Sequence, residues 1–296
     1  MRKQRVIAIV GPTASGKTEL AIALAQKFNG EIISADSRAI YRGLDIGTAK
    51  PTPPQRRLVP HHLIDIANVG ERFTVAQFQK LVQRTISDVI TRGKVPLLVG
   101  GTGLYVDAVL YNYQFPPEGD PELRFHLEQE SDERLRDILK TIDPTSFRTI
   151  DLDNRRRVLR AVEVALQTGR SFRQLQRKGR NPYAFLVVGI DLPRRELYER
   201  IDRRFEKWVE QGLLDEVRWV LNETSPDWVT SLGLHYRYLA QYIQGEIKQL
   251  DAFARSKSSL RAYARRQFTW FRRNKNLHWV NSSQETRQLV EKFLGS

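Results

Sequence analysis

Apolar and polar positions change period several times along the first hundred residues, and each change marks an element. Val6-Ile7-Ala8-Ile9-Val10 is continuously apolar and largely β-branched, the pattern of a buried parallel strand over residues 5–10. Residues 17–28 switch to helix formers, with Leu20, Ala23 and Leu24 forming a stripe. Glu31-Ile32-Ile33-Ser34-Ala35-Asp36 is a second short apolar strand that ends in a carboxylate. A polar stretch containing Gly and Pro runs to about residue 60 and has no single period. Residues 61–66 (HHLIDI) suggest a third strand. Residues 74–92 have helical spacing through Val75, Phe78, Leu81, Val82, Ile86 and Val89, with Thr74 as the expected cap and Gly93 as the stop. Val95 to Val99 is again apolar. Strand and helix alternating in this way predict a doubly wound, mainly parallel sheet.

The pattern changes at Phe115-Pro116-Pro117-Glu118-Gly119-Asp120-Pro121. From there to about 180 it is helical and highly charged, with no convincing strand. Ala184 to Ile190 is the next strong strand, residues from 194 onward are helical, and residues 277–280 are strand-like. The expected architecture is α/β, with a P-loop-like core over 1–114 and 184–296 and a helical insertion over 115–183.

Charge sharpens this picture. The 296 residues carry 48 Lys+Arg against 34 Asp+Glu, a formal net charge of +14. Residues 154–180 hold nine basic side chains and one acid; residues 252–284 hold eight and none. Each segment is +8 and the remainder of the chain −2. Excess charge gathered in two places predicts a polyanion surface, nucleic acid above all. The chain has no cysteine, which excludes disulfides, thiol catalysis and Cys-based metal sites. No apolar stretch reaches the ~20 residues of a membrane span, and no signal segment precedes the first strand. A cytoplasmic enzyme away from membranes is expected.

Between the first strand and the first helix lies Gly11-Pro12-Thr13-Ala14-Ser15-Gly16-Lys17-Thr18, a complete G-x-x-x-x-G-K-[ST] loop. Strand, glycine loop and helix is the arrangement in which backbone N–H groups and a helix N-terminus converge on phosphates. Lys17 supplies a charge and Thr18 a hydroxyl for Mg²⁺, so a di- or triphosphate is the expected ligand. The acid that orients Mg²⁺ in P-loop NTPases should end a buried strand, but the strand at 95–99 runs into Gly100-Gly101-Thr102-Gly103. Asp36 is the only strand-ending acid nearby. It suits either indirect Mg²⁺ binding, proton acceptance from a nucleophile, or a turn cap. His61-His62 is better explained by packing and polar contacts than by metal binding, since adjacent strand residues face opposite ways. In Arg261 to Arg273, guanidinium groups alternate with aromatics. That mixture suits phosphate tracking and base stacking, or an amphipathic helix that buries Phe268 and Phe271.

The ordered landmarks GPTASGKTEL (11–20), ISADSRAIYRGLDIGTAKP (33–51), HHLID (61–65), LVGGTGLYVDAVL (98–110), RAVEV with TGR (160–170), GLLDEV (212–217) and YARRQFTWF (263–271) together resemble the bacterial tRNA dimethylallyltransferases. The resemblance spans nearly the whole chain, and the combination is specific to that family. It implies transfer of a dimethylallyl group from its diphosphate to the exocyclic N6 amine of the adenosine 3′ of the anticodon in tRNA, with Mg²⁺ as cofactor and the enzyme acting as a monomer. Residues 11–18 would then hold the diphosphate, with Lys17 stabilising its charge and Thr18 binding Mg²⁺. Asp36 would accept a hydrogen from the amine, and Thr102 would sit beside the reacting groups. Contacts to the anticodon stem-loop would fall on Asp36, Ser37, Arg38, Ala39, Thr102, Arg124, the run Arg156-Arg157-Val158-Leu159-Arg160, and the basic face carrying Arg261, Arg265 and Arg266. This sequence departs from the family pattern at Ala39 (usually glutamine), Arg156 (usually glutamine), His235 (usually glycine), Leu260 (usually threonine) and Arg265 (usually lysine).

Three other readings fit less of the chain. A small-molecule kinase gains nothing from two +8 segments. A motor-type RNA-binding NTPase needs a strand-end acid and a hydrolysis sensor that the sequence lacks. A prenyltransferase of free adenine nucleotides has no use for the basic helical region.

Overall fold

A computed structural model describes residues 3–295. In chain order the elements are β1 (Gln4–Val10), α1 (Lys17–Lys27), β2 (Gly30–Ser34), α2 (Pro53–Leu58), β3 (His61–His62), α3 (Val75–Thr91), β4 (Val95–Gly100) and α4 (Gly103–Leu110). Next come β5 (Tyr113–Gln114), α5 (Pro121–Gln129), α6 (Asp132–Ile142), α7 (Pro144–Phe147), α8 (Arg155–Thr168), α9 (Phe172–Leu175) and β6 (Arg177–Lys178). The chain then forms β7 (Tyr183–Ile190), α10 (Arg194–Glu210), α11 (Leu213–Glu223), α12 (Pro226–Leu232), α13 (Leu234–Ile243), α14 (Gln249–Phe271), β8 (Leu277–Val280) and α15 (Ser283–Gly295). Two compact units result. One runs to Leu110 and resumes at Pro182; the other is Tyr111–Asn181.

The first unit holds a six-stranded sheet in the order β3-β2-β4-β1-β7-β8, with every neighbouring pair parallel. Ile7 of central β1 pairs with Leu97 on one side and Leu186 on the other. With helices covering both faces, Val6 to Val10 are fully buried, which is why this strand reads as an unbroken apolar run. The periodic helix at 75–91 carries the expected cap: Thr74 accepts from the Gln77 N–H and Gln77 reaches back to the Thr74 N–H. Phe78, Val82, Ile86 and Val89 form its buried stripe.

The third strand is shorter than its hydropathy suggests. Only His61 and His62 pair with β2, because Leu63 and Asp65 adopt positive φ (60° and 58°) and turn the chain away. Strand β2 likewise stops at Ser34, leaving Asp36 two residues beyond it. Helix α2, within the stretch that has no period in sequence, starts from a capping box of Thr52 and Gln55. His62 bonds to Glu31 (2.6 Å), which Arg92 also binds, a polar contact as expected.

Within the 45–51 motif, Lys50 is buried and its Nζ donates to the Tyr41 carbonyl (2.6 Å), Asp45 (2.8 Å) and Asp65 (2.5 Å). Burial alone would raise the Asp65 pKa, but hydrogen bonds from Lys50 and Arg56 outweigh it and hold the carboxyl below its ordinary value. A carboxyl depressed in the folded state stabilises above its unfolded pKa of ~4, and that stabilisation fades as pH falls through the folded value. The melting-temperature gap between the natural chain and Asp65→Asn should therefore be widest near neutrality and close on acidification below pH ~4.

The second unit has its own core of Leu127, Leu135, Leu139, Val158, Leu159, Val162 and Phe172. Its ends are joined by the antiparallel pair β5–β6, two residues each, too short to mark the hydropathy.

Candidate active site

The phosphate-binding loop forms between β1 and α1. Gly16 takes φ 91°, a left-handed conformation that favours glycine, and the helix starts directly after it. Ala14 adopts a similar angle (φ 64°) without glycine's freedom. Ser15 is buried and its hydroxyl has no partner among the described residues. Among the described residues, Lys17 bonds only to the Pro12 carbonyl (2.5 Å). Desolvation by the loop, then the nearby positive charge of Arg204, pulls the Lys17 pKa down to about 7. Arg204, on α10, is largely desolvated too, which lowers its own pKa, and it has no hydrogen bond or ion pair among the described residues. Two cations held in this way, beside an unpartnered hydroxyl, form a seat for a multiply charged anion.

Thr13 to Thr18, Asp36, Arg38, Ala39, Arg204 and Gln267 share one cavity. Asp36 serves as a turn residue, one of the roles open to it from sequence: Oδ1 accepts from the Arg38 (2.8 Å) and Ala39 (3.3 Å) N–H groups. Its Oδ2 accepts no hydrogen bond among the described residues, so the carboxylate keeps a free acceptor. Thr102 lies outside that lining. Its hydroxyl accepts from the Ser37 N–H (3.1 Å) and donates to the Ser37 hydroxyl (3.3 Å), fixing the turn that carries Asp36. Arg38 is committed to the Leu232 carbonyl (2.5 Å and 3.0 Å).

Gln267, within the late aromatic motif, ties the two glycine loops together. Its Oε1 accepts from the Thr13 N–H (2.9 Å) and its Nε2 donates to the Gly101 carbonyl (2.9 Å). A Cβ on Gly101 would lie 2.2 Å from that Nε2, which accounts for the glycine. Neither Gln267 nor Arg204 stands out in sequence. A lone glutamine in a helix has no periodic signature, and Arg204 is one of many arginines.

Three aromatics of α14 have packing partners, as the amphipathic-helix reading expects, while Tyr263 lines the cavity. Phe271 is buried, Phe268 lies 5.6 Å from the Trp279 ring, and Trp270 packs on Gly103 while its Nε1 donates to Asp107 (2.9 Å). Arg261 is paired with Asp202. Arg265 and Arg266 are exposed, Arg265 touching the Tyr198 hydroxyl and Arg266 the Tyr263 ring.

In the second unit, Arg156 and Arg157 are exposed. Val158 and Leu159, expected beside them as tRNA contacts, are each only 2% exposed. Their side chains belong to the core, because α8 turns those positions inward. Arg124 and Arg160 converge on the buried Glu163 (3.5 Å and 2.6 Å), so both hold this unit together.

Residues 39–274 match the IPP transferase family model and residues 4–63 the isopentenyl transferase model. A tRNA dimethylallyltransferase of Thermomicrobium roseum is 42% identical over 99% of this chain and 92% of its own length. One from Roseiflexus is 46% identical over 92% of this chain and 91% of its own. The solved tRNA isopentenylpyrophosphate transferase of Bacillus halodurans superposes with a TM-score of 0.74 at 37% identity, covering 99% of this chain and 96% of that one. A eukaryotic dimethylallyltransferase solved while acting on tRNA superposes at 0.84 with 25% identity, covering 99% and 80%. The chain therefore belongs to the IPP transferase family, with the tRNA dimethylallyltransferases as its relatives.

Proposed function

We propose that this enzyme transfers a dimethylallyl group from dimethylallyl diphosphate to the N6 amine of the adenosine 3′-adjacent to the anticodon of tRNA, releasing diphosphate. The observation that carries the reading is the shared cavity: the unpaired cations Lys17 and Arg204 stand in the same space as the free carboxylate oxygen of Asp36. Backbone N–H groups of residues 14–18, Lys17 and Arg204 bind the diphosphate and stabilise the charge that grows on it as the allylic C–O bond breaks. The amine nitrogen forms the new C–N bond, and its proton passes to Asp36. Thr102 positions the Asp36 turn through Ser37 and belongs beside this chemistry in that sense.

The residues present suit Mg²⁺ held largely by substrate. Thr18 lines the cavity, and an ion that keeps waters and substrate phosphates as ligands needs few protein groups. Bound there beside Thr18, Mg²⁺ would neutralise charge on the leaving diphosphate.

An adenine inside a stacked loop cannot reach this cavity, so the nucleotide must flip out. Arg156, Arg157, Arg265 and Arg266 supply the exposed charge to hold the stem-loop. No helix among the described residues is long and apolar enough to cross a membrane. We take the enzyme to act in the cytoplasm as a monomer.

Label from dimethylallyl diphosphate should enter unmodified tRNA and not free AMP. Label in AMP alone, or ATP turnover without transfer, would overturn the reading. Replacing Arg265 and Arg266 together by alanine should weaken tRNA binding and flatten log K against log salt by about 0.7–0.9 for each phosphate no longer neutralised. Arg261→Ala, which breaks the Asp202 bridge, should lower the melting temperature and leave that slope nearly unchanged.

A further inference from the structure

Helix α10 carries six basic and five acidic side chains, so its composition shows almost no excess charge. Its spacing does. Arg200, Arg203, Arg204 and Lys207 fall at i, i+3, i+4 and i+7, one stripe of the helix surface. Leu197, Ile201, Phe205 and Trp208 form the buried face beside it. The stripe walls a surface groove that reaches the phosphate loop at Ala14 and Gly16, with Glu19 and Glu196 completing the lining. Ala14, Gly16, Glu19 and Arg204 also line the cavity that holds Lys17 and Asp36, so groove and cavity adjoin along the loop itself. Arg203 and Lys207 are exposed, and Arg200 and Arg204 are partly covered.

These charges are mostly uncompensated. Arg200 pairs with Glu196 (2.6 Å). Arg203 donates only to the Glu199 carbonyl (3.4 Å), and Lys207, like Arg204, has no side-chain bond among the described residues. Glu19 is exposed and pairs with none of them. Like charges three or four residues apart on a helix repel and cost stability. Three unpaired cations on one stripe therefore point to an anion from outside the chain. The phosphate loop decides which anion, because the groove leads to the residues that cradle diphosphate. We propose that this groove is an outer capture site for the donor: Arg203 and Lys207 draw an allylic diphosphate from solvent and pass it along Arg204 to Lys17 and the phosphate loop. The inference rests on the cavity being the diphosphate site. Arg203 and Lys207 touch neither the reacting carbon nor the amine. They act on the approach, where a charged wall raises association rates by about 10–10³-fold.

The test measures association of dimethylallyl diphosphate with the enzyme in Mg²⁺, without tRNA so that nothing is transferred. Stopped-flow fluorescence reads it from Trp208 in the cavity wall. Arg203→Gln combined with Lys207→Met removes two exposed charges and keeps their aliphatic stems, so the fold should hold. At an ionic strength of about 10 mM, where the Debye length is about 30 Å, this variant should associate about 3–10-fold more slowly. Its dissociation rate should stay within about twofold of the natural value, as for charges at the rim of a site. Near 1 M salt, with a Debye length of about 3 Å, the gap should close. Arg134→Gln combined with Lys140→Met takes the same charge from exposed positions on α6 and should leave association unchanged. Equal rates for the groove variant and this control overturn the inference. So does a loss confined to dissociation, which would make the stripe part of the resident diphosphate seat. Weaker tRNA binding with unchanged donor association would assign the stripe to RNA phosphates instead. If Trp208 gives no signal, single-turnover transfer at limiting donor carries the same salt dependence. A natural enzyme that neither binds nor transfers the donor would overturn the proposed function itself, a result distinct from any of these.

Discussion

Asp36→Asn should lower the single-turnover rate of dimethylallyl transfer by about 10²–10⁴-fold, the usual contribution of a positioned proton acceptor, while leaving the melting temperature close to that of the natural enzyme. The two oxygens of Asp36 have separate tasks. Oδ1 closes the turn through Arg38 and Ala39, and an asparagine oxygen can do the same. Oδ2 has no bond among the described residues, and it is this position that loses proton affinity in the amide. Asp36→Ala removes both oxygens, so it should add a measurable fall in stability to the same loss of rate. tRNA and diphosphate affinities should change little in Asp36→Asn, because the charges that bind phosphates lie on Lys17, Arg204 and the arginine surfaces. A rate for Asp36→Asn within tenfold of the natural enzyme would remove the carboxylate from the chemistry and leave it as a turn residue only.

Features carried by neighbouring residues are legible in the sequence; those made by distant partners are not. The phosphate loop declares itself because its strand, glycines and helix are contiguous, and α3 because Thr74, Gln77 and its apolar stripe fall within one periodic window. The end of β3 is not legible, since positive φ at Leu63 and Asp65 leaves no mark on hydropathy. Gln267 bonds across 254 residues to Thr13 and across 166 to Gly101, a relation no local pattern encodes. The aromatic motif at 263–271 suggests stacking surfaces because sequence does not say which way a helix face turns. Once α14 is packed, Trp270 and Phe271 are spoken for by Asp107 and the core. The run at 156–160 misleads for the same reason: charge is visible in a sequence, but α8 presents Arg156 and Arg157 outward and Val158 and Leu159 inward.

Glu216 shows the same long-range dependence and carries the largest stability effect expected here. It lies on α11, buried, and its carboxylate accepts from the backbone N–H groups of Asp45 (2.7 Å), Ile46 (2.7 Å) and Gly47 (3.0 Å). The Tyr236 hydroxyl donates to it as well (2.7 Å); burial and then this negative charge push the Tyr236 pKa well up, so the phenol remains a donor. One side chain thus gathers the chain at 45–47 onto α11 and α13, and Gly47, Thr48 and Ala49 are part of the cavity wall. In Glu216→Gln a single amide oxygen must serve donors that now engage two, and the new NH₂ faces N–H groups instead of acceptors. At least one buried donor is left unpaired, costing about 2–4 kcal/mol with the weakened bonds included, or a melting temperature lower by roughly 5–10 °C. Because the segment that loosens lines the cavity, KM for dimethylallyl diphosphate should rise severalfold, while binding of tRNA, read at low salt, should hold. Thermal melts beside the two affinities check this directly. A variant that melts like the natural enzyme yet loses the donor affinity would mean that Glu216 acts on the substrate and not through the loop it holds.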